Sequence, residues 1–249
     1  SSHDAHTATP RFRAPSRVKD SSPYVIVFTL WLLVFSSASQ TMIISPILPQ
    51  IGDDLGIADA ALGTLVSVYS LMVGIFAILS GPVSDRIGRR RILLIGCGTM
   101  TVALMLHTLV SDYASFLAVR MFAGMAGGIL SGAAVSYIGD YFPYERRGWA
   151  TGWVMSGSAL GQIAGIPIGI VLADQWGFKA PFYIFAVTMA ATILLLFFRV
   201  PQPPGKQSLE QLTVRKAAAD YAALLRRPEV AWAAVAYFVM FLGVSIFIV

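Results

Sequence analysis

The chain has 249 residues, 56% of them hydrophobic and 12% charged, with a formal net charge of +5. A soluble domain usually carries about 25% charged residues, and the mean hydropathy here is +0.71, so a soluble fold is excluded. The apolar residues gather in runs long enough to cross a bilayer as helices, about 20 residues each, without the ~10-residue alternating segments of a membrane β-barrel.

Residues 1–22 are rich in Ser, Thr, His, Pro and Arg and read as a disordered tail. They are polar, and the first apolar run leads directly into a full span, so no cleavable signal peptide is expected. Spans are predicted over 24–48, 61–82, 92–110, 115–138, 149–173, 181–199 and 231–249. The first carries a polar stripe: Ser36 and Gln40 are one helical turn apart, with Ser37 and Thr41 beside them.

Between spans two and three the chain reads Gly-Pro-Val-Ser-Asp-Arg-Ile-Gly-Arg-Arg-Arg from Gly81 to Arg91. Gly81 and Gly88 suit a tight reversal in a short loop. Asp85 can pair with Arg86 or Arg89 and can also face a helix N-terminus, where the dipole favours an anion. On charge alone the segment reads as a basic loop that fixes membrane topology. It also resembles the signature loop of the major facilitator superfamily, G-x-x-x-D-R-x-G-R followed by Arg or Lys, at every fixed position. That resemblance extends over roughly residues 24–249. It implies an all-α membrane protein of the major facilitator fold: a six-helix N-terminal bundle over 23–199, built from two three-helix repeats, plus a seventh helix. It further implies a latch on the cytoplasmic face made by Gly81, Asp85, Arg86, Gly88, Arg89 and Arg90, with Asp140 as a partner for the basic cluster.

In span three, Cys97 and His107 read as packed residues rather than ligands, and a lone cysteine offers no disulfide. Arg120 lies about five residues into span four, where a charge costs on the order of 2.5–3.5 kcal/mol on insertion scales. It must therefore snorkel to the interface or face a polar cavity, and the family resemblance implies the cavity. The turn from Asp140 to Gly148, with Pro143 and Arg147, is similar to the family's P-x-x-x-R-G turn and reads either as a second gate element or as a plain basic turn.

Gly124 and Gly128, and Gly157, Gly161 and Gly165, recur every fourth residue, so each set lines one helix face where backbones approach closely. Tight packing is one reading. The resemblance adds the fifth-helix motif of drug–proton antiporters, G-x-x-x-G-P-x-x-G-G, thought to shape the rocking interface between halves; here Gln162 replaces the proline and Ile166 the last glycine. Span one is similarly close to the antiporter pattern D-x-T-x-x-x-x-x-x-P through Thr41 and Pro49, with Gln40 in place of the acid. The resemblance thus nominates Ser36, Gln40, Thr41, Arg120 and Gln162 for a substrate cavity.

Residues 200–230, opening with Pro201, Pro203, Pro204 and Gly205, read as a cytoplasmic linker with a surface amphipathic helix. The seventh span, 231–249, then begins a second bundle. It stops at Val249 without a flanking polar residue, so a C-terminal half of the same protein is expected as a partner. With the N-terminus inside, 16 of the 18 Lys and Arg residues fall on the cytoplasmic side, whereas the outer side carries Lys179 against Asp53, Asp54, Asp59, Asp112 and Asp174. This places the protein in a bacterial inner membrane with its N-terminus in the cytoplasm. The basic charge serves insertion and membrane lipid, not nucleic acid.

No nucleotide loop, metal cluster or catalytic triad is evident, and no cofactor or enzymatic activity is expected. The leading reading is a secondary transporter moving a small molecule by alternating access, of the proton-coupled efflux type. An uptake symporter for a sugar or organic acid, and a non-transporting scaffold with the same fold, are its rivals. No Asp or Glu lies inside a span, so a coupling carboxylate would belong to the second half.

Overall fold

The computed structural model describes residues 22–203, residue 223 and parts of 226–239. The tail at 1–21, most of the linker and most of the seventh span lie outside the described residues. Over residues 22–203 the helices are, in order, α1 (Pro23–Met42), α2 (Ile44–Leu55), α3 (Asp59–Ile87), α4 (Arg89–His107), α5 (Tyr113–Leu130), α6 (Ala133–Tyr141), α7 (Tyr144–Trp176) and α8 (Lys179–Arg199). Among the described residues they give six stretches long and apolar enough to cross a membrane, with α5 and α6 counted together. Helices satisfy every backbone amide within their own segment, which is the condition for crossing hydrocarbon.

Two spans are broken, and their sequences say why. Pro46 has no N–H to return to Met42, and its ring crowds that carbonyl, so α1 gives way to α2 at Ile43. The second break falls at Ser131 and Gly132, where the Ser131 hydroxyl bonds the Gly128 carbonyl at 2.9 Å and competes with the helical ladder. At the start of α5, Asp112 accepts from the Ser115 amide at 2.7 Å while the Ser115 hydroxyl accepts from the Asp112 amide at 3.2 Å, a reciprocal cap. The Ser115 amide holds the Asp112 carboxyl below its ordinary value.

The segment expected to be a loop between spans two and three, 83–91, is mostly helix. α3 continues to Ile87 and α4 begins at Arg89, so Gly81 lies inside α3 and makes no turn. Gly88 alone reverses the chain, at φ +99°, a conformation in which a side chain is strained. One glycine in that conformation suffices to end the helical run.

α1 packs on α7 and α8, α3 on α5, and α4 on α5 and α8. Exchanging each span for the one three later preserves this pairing: α1 with α7 becomes α5 with α3, α4 with α5 becomes α8 with α1, and α4 with α8 maps onto itself. The bundle is therefore two like groups of three, and the first span of each group is the broken one. A buried core runs between α1, α4 and α8 through Ile26, Leu30, Leu93, Met100, Phe182 and Met189. Cys97 and His107 belong to it, with the His107 ring stacked on Phe182 at 4.3 Å.

The glycine faces form the two seams that the exchange relates. A Cβ on Gly124 or Gly128 would meet the backbone carbonyls of Tyr69 or Val73 in α3 at 2.5 and 2.6 Å. One on Gly157 or Gly161 would meet those of Trp31 or Phe35 in α1 at 2.7 Å, and one on Gly165 would strike the Ser39 hydroxyl at 2.6 Å. The fifth-span glycines thus seat α1 closely against α7 within this bundle.

Candidate functional site

A cleft of about 630 Å³ opens on one side of the bundle, lined by α1, α3, α5, α6 and α7. Its wall is chiefly apolar, with Leu33, Val34, Val73, Leu130 and Met155, and the polar groups in it are hydroxyls and one amide: Ser37, Thr41, Tyr69, Ser70, Ser131, Ser158 and Gln162. Three of the six hydroxyls are bonded to a carbonyl one turn back: Thr41 to Ser37 at 2.9 Å, Ser70 to Val66 at 3.1 Å and Ser131 to Gly128 at 2.9 Å. Gln162 is exposed and holds only a long contact to Ser158 at 3.4 Å, leaving its amide available to a ligand.

Behind the wall lies a polar cluster centred on Tyr69. Its hydroxyl accepts from Gln40 Nε2 at 3.0 Å and pairs with Thr41 Oγ1 at 2.9 Å; Gln40 Nε2 also donates to Thr41 Oγ1 at 2.8 Å. The Arg120 guanidinium lies 4.2 Å from the centre of the Tyr69 ring, and its Nε donates to the Leu65 carbonyl at 3.2 Å. Arg120 Nη1 and Nη2 and Gln40 Oε1 are buried without a hydrogen-bond partner among the described residues.

Of the nominated residues, Thr41 and Gln162 line the cleft and three do not. Ser36 is buried against α8, donating to Thr188 Oγ1 at 3.2 Å. Gln40 is buried and reaches the cleft only through Thr41 and Tyr69. A helix turns about 100° per residue, and the lining face of α1 runs through 34, 37, 38 and 41; Ser36 and Gln40 share a stripe one residue off that face. Arg120 neither snorkels nor faces the cleft: it is 0% exposed, sealed beneath Tyr69. Tyr69 itself escaped sequence reasoning, because a single tyrosine in an apolar run reads as core; its hydroxylic neighbours Ser67 and Ser70 were the available signal.

At the basic end of the bundle, Arg89 joins three helices. It pairs with Asp85 at 2.5 Å and Asp140 at 2.6 Å and donates to Ser84 at 3.0 Å. Arg86 is exposed. Arg90 turns into its own bundle, donating to the Phe197 carbonyl at 2.6 Å, and Arg147 closes its turn on the Phe142 carbonyl at 3.0 Å. Among the described residues no cluster of His, Cys, Asp or Glu could hold a metal.

Six apolar spans in two like triplets, with a one-sided cleft between the broken first and fourth spans and their neighbours, define a multi-pass helical membrane protein of the internally repeated kind. The chain belongs to the Major Facilitator Superfamily, whose family profile matches residues 30–249. It is 31% identical over 196 residues to the multidrug resistance protein MdtG of Serratia proteamaculans, covering 76% of this chain and 47% of that one. The proton:xylose symporter XylE superposes with a TM-score of 0.66 at 18% identity, over 73% of this chain and 45% of XylE. The human organic anion transporter MFSD10 (TETRAN) superposes with a TM-score of 0.68 at 20% identity, over 82% and 56%. At these identities the two solved structures speak for the fold alone. The chain spans about half the length of the curated relatives it matches.

Proposed function

We propose that the full protein is a secondary transporter of the efflux type, moving amphiphilic small molecules through the cleft by alternating access. The observation that carries this is the cleft itself, apolar with a few hydroxyls and one free amide, lying beside the two spans broken at matching positions. Broken helices in corresponding places of two repeats mark the binding region of many transporters. The likeness to MdtG, a multidrug resistance protein, supports the outward direction. A second six-helix half closes the open side of the cleft and supplies the coupling carboxylate, since the described spans hold none away from their ends.

The basic end of the bundle faces the cytoplasm of a bacterial inner membrane, with the N-terminus on that side. There Arg89 with Asp85 and Asp140 acts as part of the latch between halves. The test is proton-driven accumulation of a lipophilic dye in everted vesicles carrying the full-length protein. Accumulation that a protonophore abolishes and Gln162→Ala weakens supports this reading. Absence of a dye gradient in either direction would leave a scaffold with a transporter fold.

A further inference from the structure

Arg120 stands about two turns inside α5, and between the ends of the described spans no carboxylate accompanies it. A cation buried without a counter-charge is costly, and this one satisfies only Nε, on a neutral carbonyl, while Nη1 and Nη2 remain unpartnered. The wall between those two nitrogens and the cleft is the ring of Tyr69. That ring is held shut by Gln40 and Thr41 on its hydroxyl. It is also seated on the bare backbone of Gly127, where a Cβ would come within 2.8 Å of the hydroxyl oxygen.

We infer that Tyr69 is a lid over a buried anion subsite, and that the ligand it admits is a monoanion with a carboxylate head and an apolar body. The inference rests on reading the cleft as the substrate site. When the ring rotates away, the planar edge of Arg120 meets the carboxylate in two charge-assisted hydrogen bonds, a geometry an ammonium group does not offer. Gln40 Nε2, released from the hydroxyl, becomes a further donor to the same head group. The apolar body stays in the cleft against Leu33, Val73 and Leu130. Opening sacrifices the bonds to Gln40 and Thr41 and the ring–guanidinium contact, so a neutral molecule of the same shape has no means of offsetting that loss.

The test is equilibrium binding of radiolabelled octanoate and of octanol to the full-length protein in nanodiscs at neutral pH. Octanoate is expected to bind at least tenfold tighter, and Arg120→Gln is expected to erase the difference. Tyr69→Phe keeps the ring but loses the bonds that hold it shut, so the octanoate preference should rise severalfold. That arm, with the wild-type comparison, stands even if the arginine variant fails to fold. Octanol binding as tightly as octanoate to the wild type overturns the subsite, and is the result expected if a carboxylate of the second half neutralises Arg120. An unchanged preference in Tyr69→Phe overturns the lid. Dye transport without octanoate preference refutes this inference alone, and octanoate preference without transport refutes the transport reading alone.

Discussion

Thr41 is the residue through which the cleft and the buried cluster communicate, because its hydroxyl faces the cleft and pairs with both Gln40 and Tyr69. Thr41→Val keeps the shape of the side chain and removes those bonds. Each is worth about 1 kcal/mol, so octanoate affinity should rise by about fivefold if the Tyr69 lid is loosened, read by the same equilibrium assay. The polar stripe of α1 was legible in the sequence, but its aim was not. Ser36 and Gln40 mark a face one residue away from the lining one, and only the neighbours α7 and α8 fix how α1 is rotated. Arg120 was legible as a residue requiring an explanation. Tyr69, which supplies its cover, had only its neighbours Ser67 and Ser70 to mark it, since an aromatic ring in an apolar run has the same pattern whether it packs or gates.

At the scale of the elements, the spans were readable from apolar runs, and so were the glycine faces. Which helix each glycine face meets was not, because spacing defines a face but not its partner. The seams predict different outcomes for two glycine substitutions within α7. Gly161→Val drives a side chain into the α1 backbone and should destabilise the fold by about 1–3 kcal/mol. Gly152→Ala, in the same helix but with open space around it, should be neutral or stabilising by up to about 1 kcal/mol. Thermal unfolding in detergent separates the two. The helix from Val83 to Ile87 was read as loop because charge and a nearby glycine and proline signal turns, whereas only Gly88 takes a backbone conformation that ends α3.

The cap of α5 adds a pH dependence at that same scale. Asp112 has a lowered carboxyl value in the fold, so its contribution is present above the ordinary carboxylate range. It is lost as pH falls through the lowered value. The melting difference between wild type and Asp112→Ala should therefore be full at neutral pH and shrink in acid; a difference that persists unchanged would show that charge plays no part in the cap.

For the whole molecule, the lopsided basic end and the signature motif made the family legible from sequence, while the cleft became visible only once the two triplets were folded together. Arg89 keeps Asp140 when Asp85→Asn removes its other partner, and both carboxylates are half exposed. The expected effect is therefore modest: up to about 1 kcal/mol, or a shift of up to about fivefold between states. Alternating access itself is tested most directly by side-specific labelling of the cleft. A cysteine at Ser158, placed in the full-length protein with the buried Cys97 replaced by alanine, would be reacted with a membrane-impermeant maleimide from each side. Alternating access predicts labelling from the cytoplasmic side in one condition and from the outer side in another, switched by substrate or a proton gradient, with Asp85→Asn moving the balance toward the cytoplasmic side. Labelling from one side only, unaltered by substrate, gradient or the Asp85 variant, would contradict it.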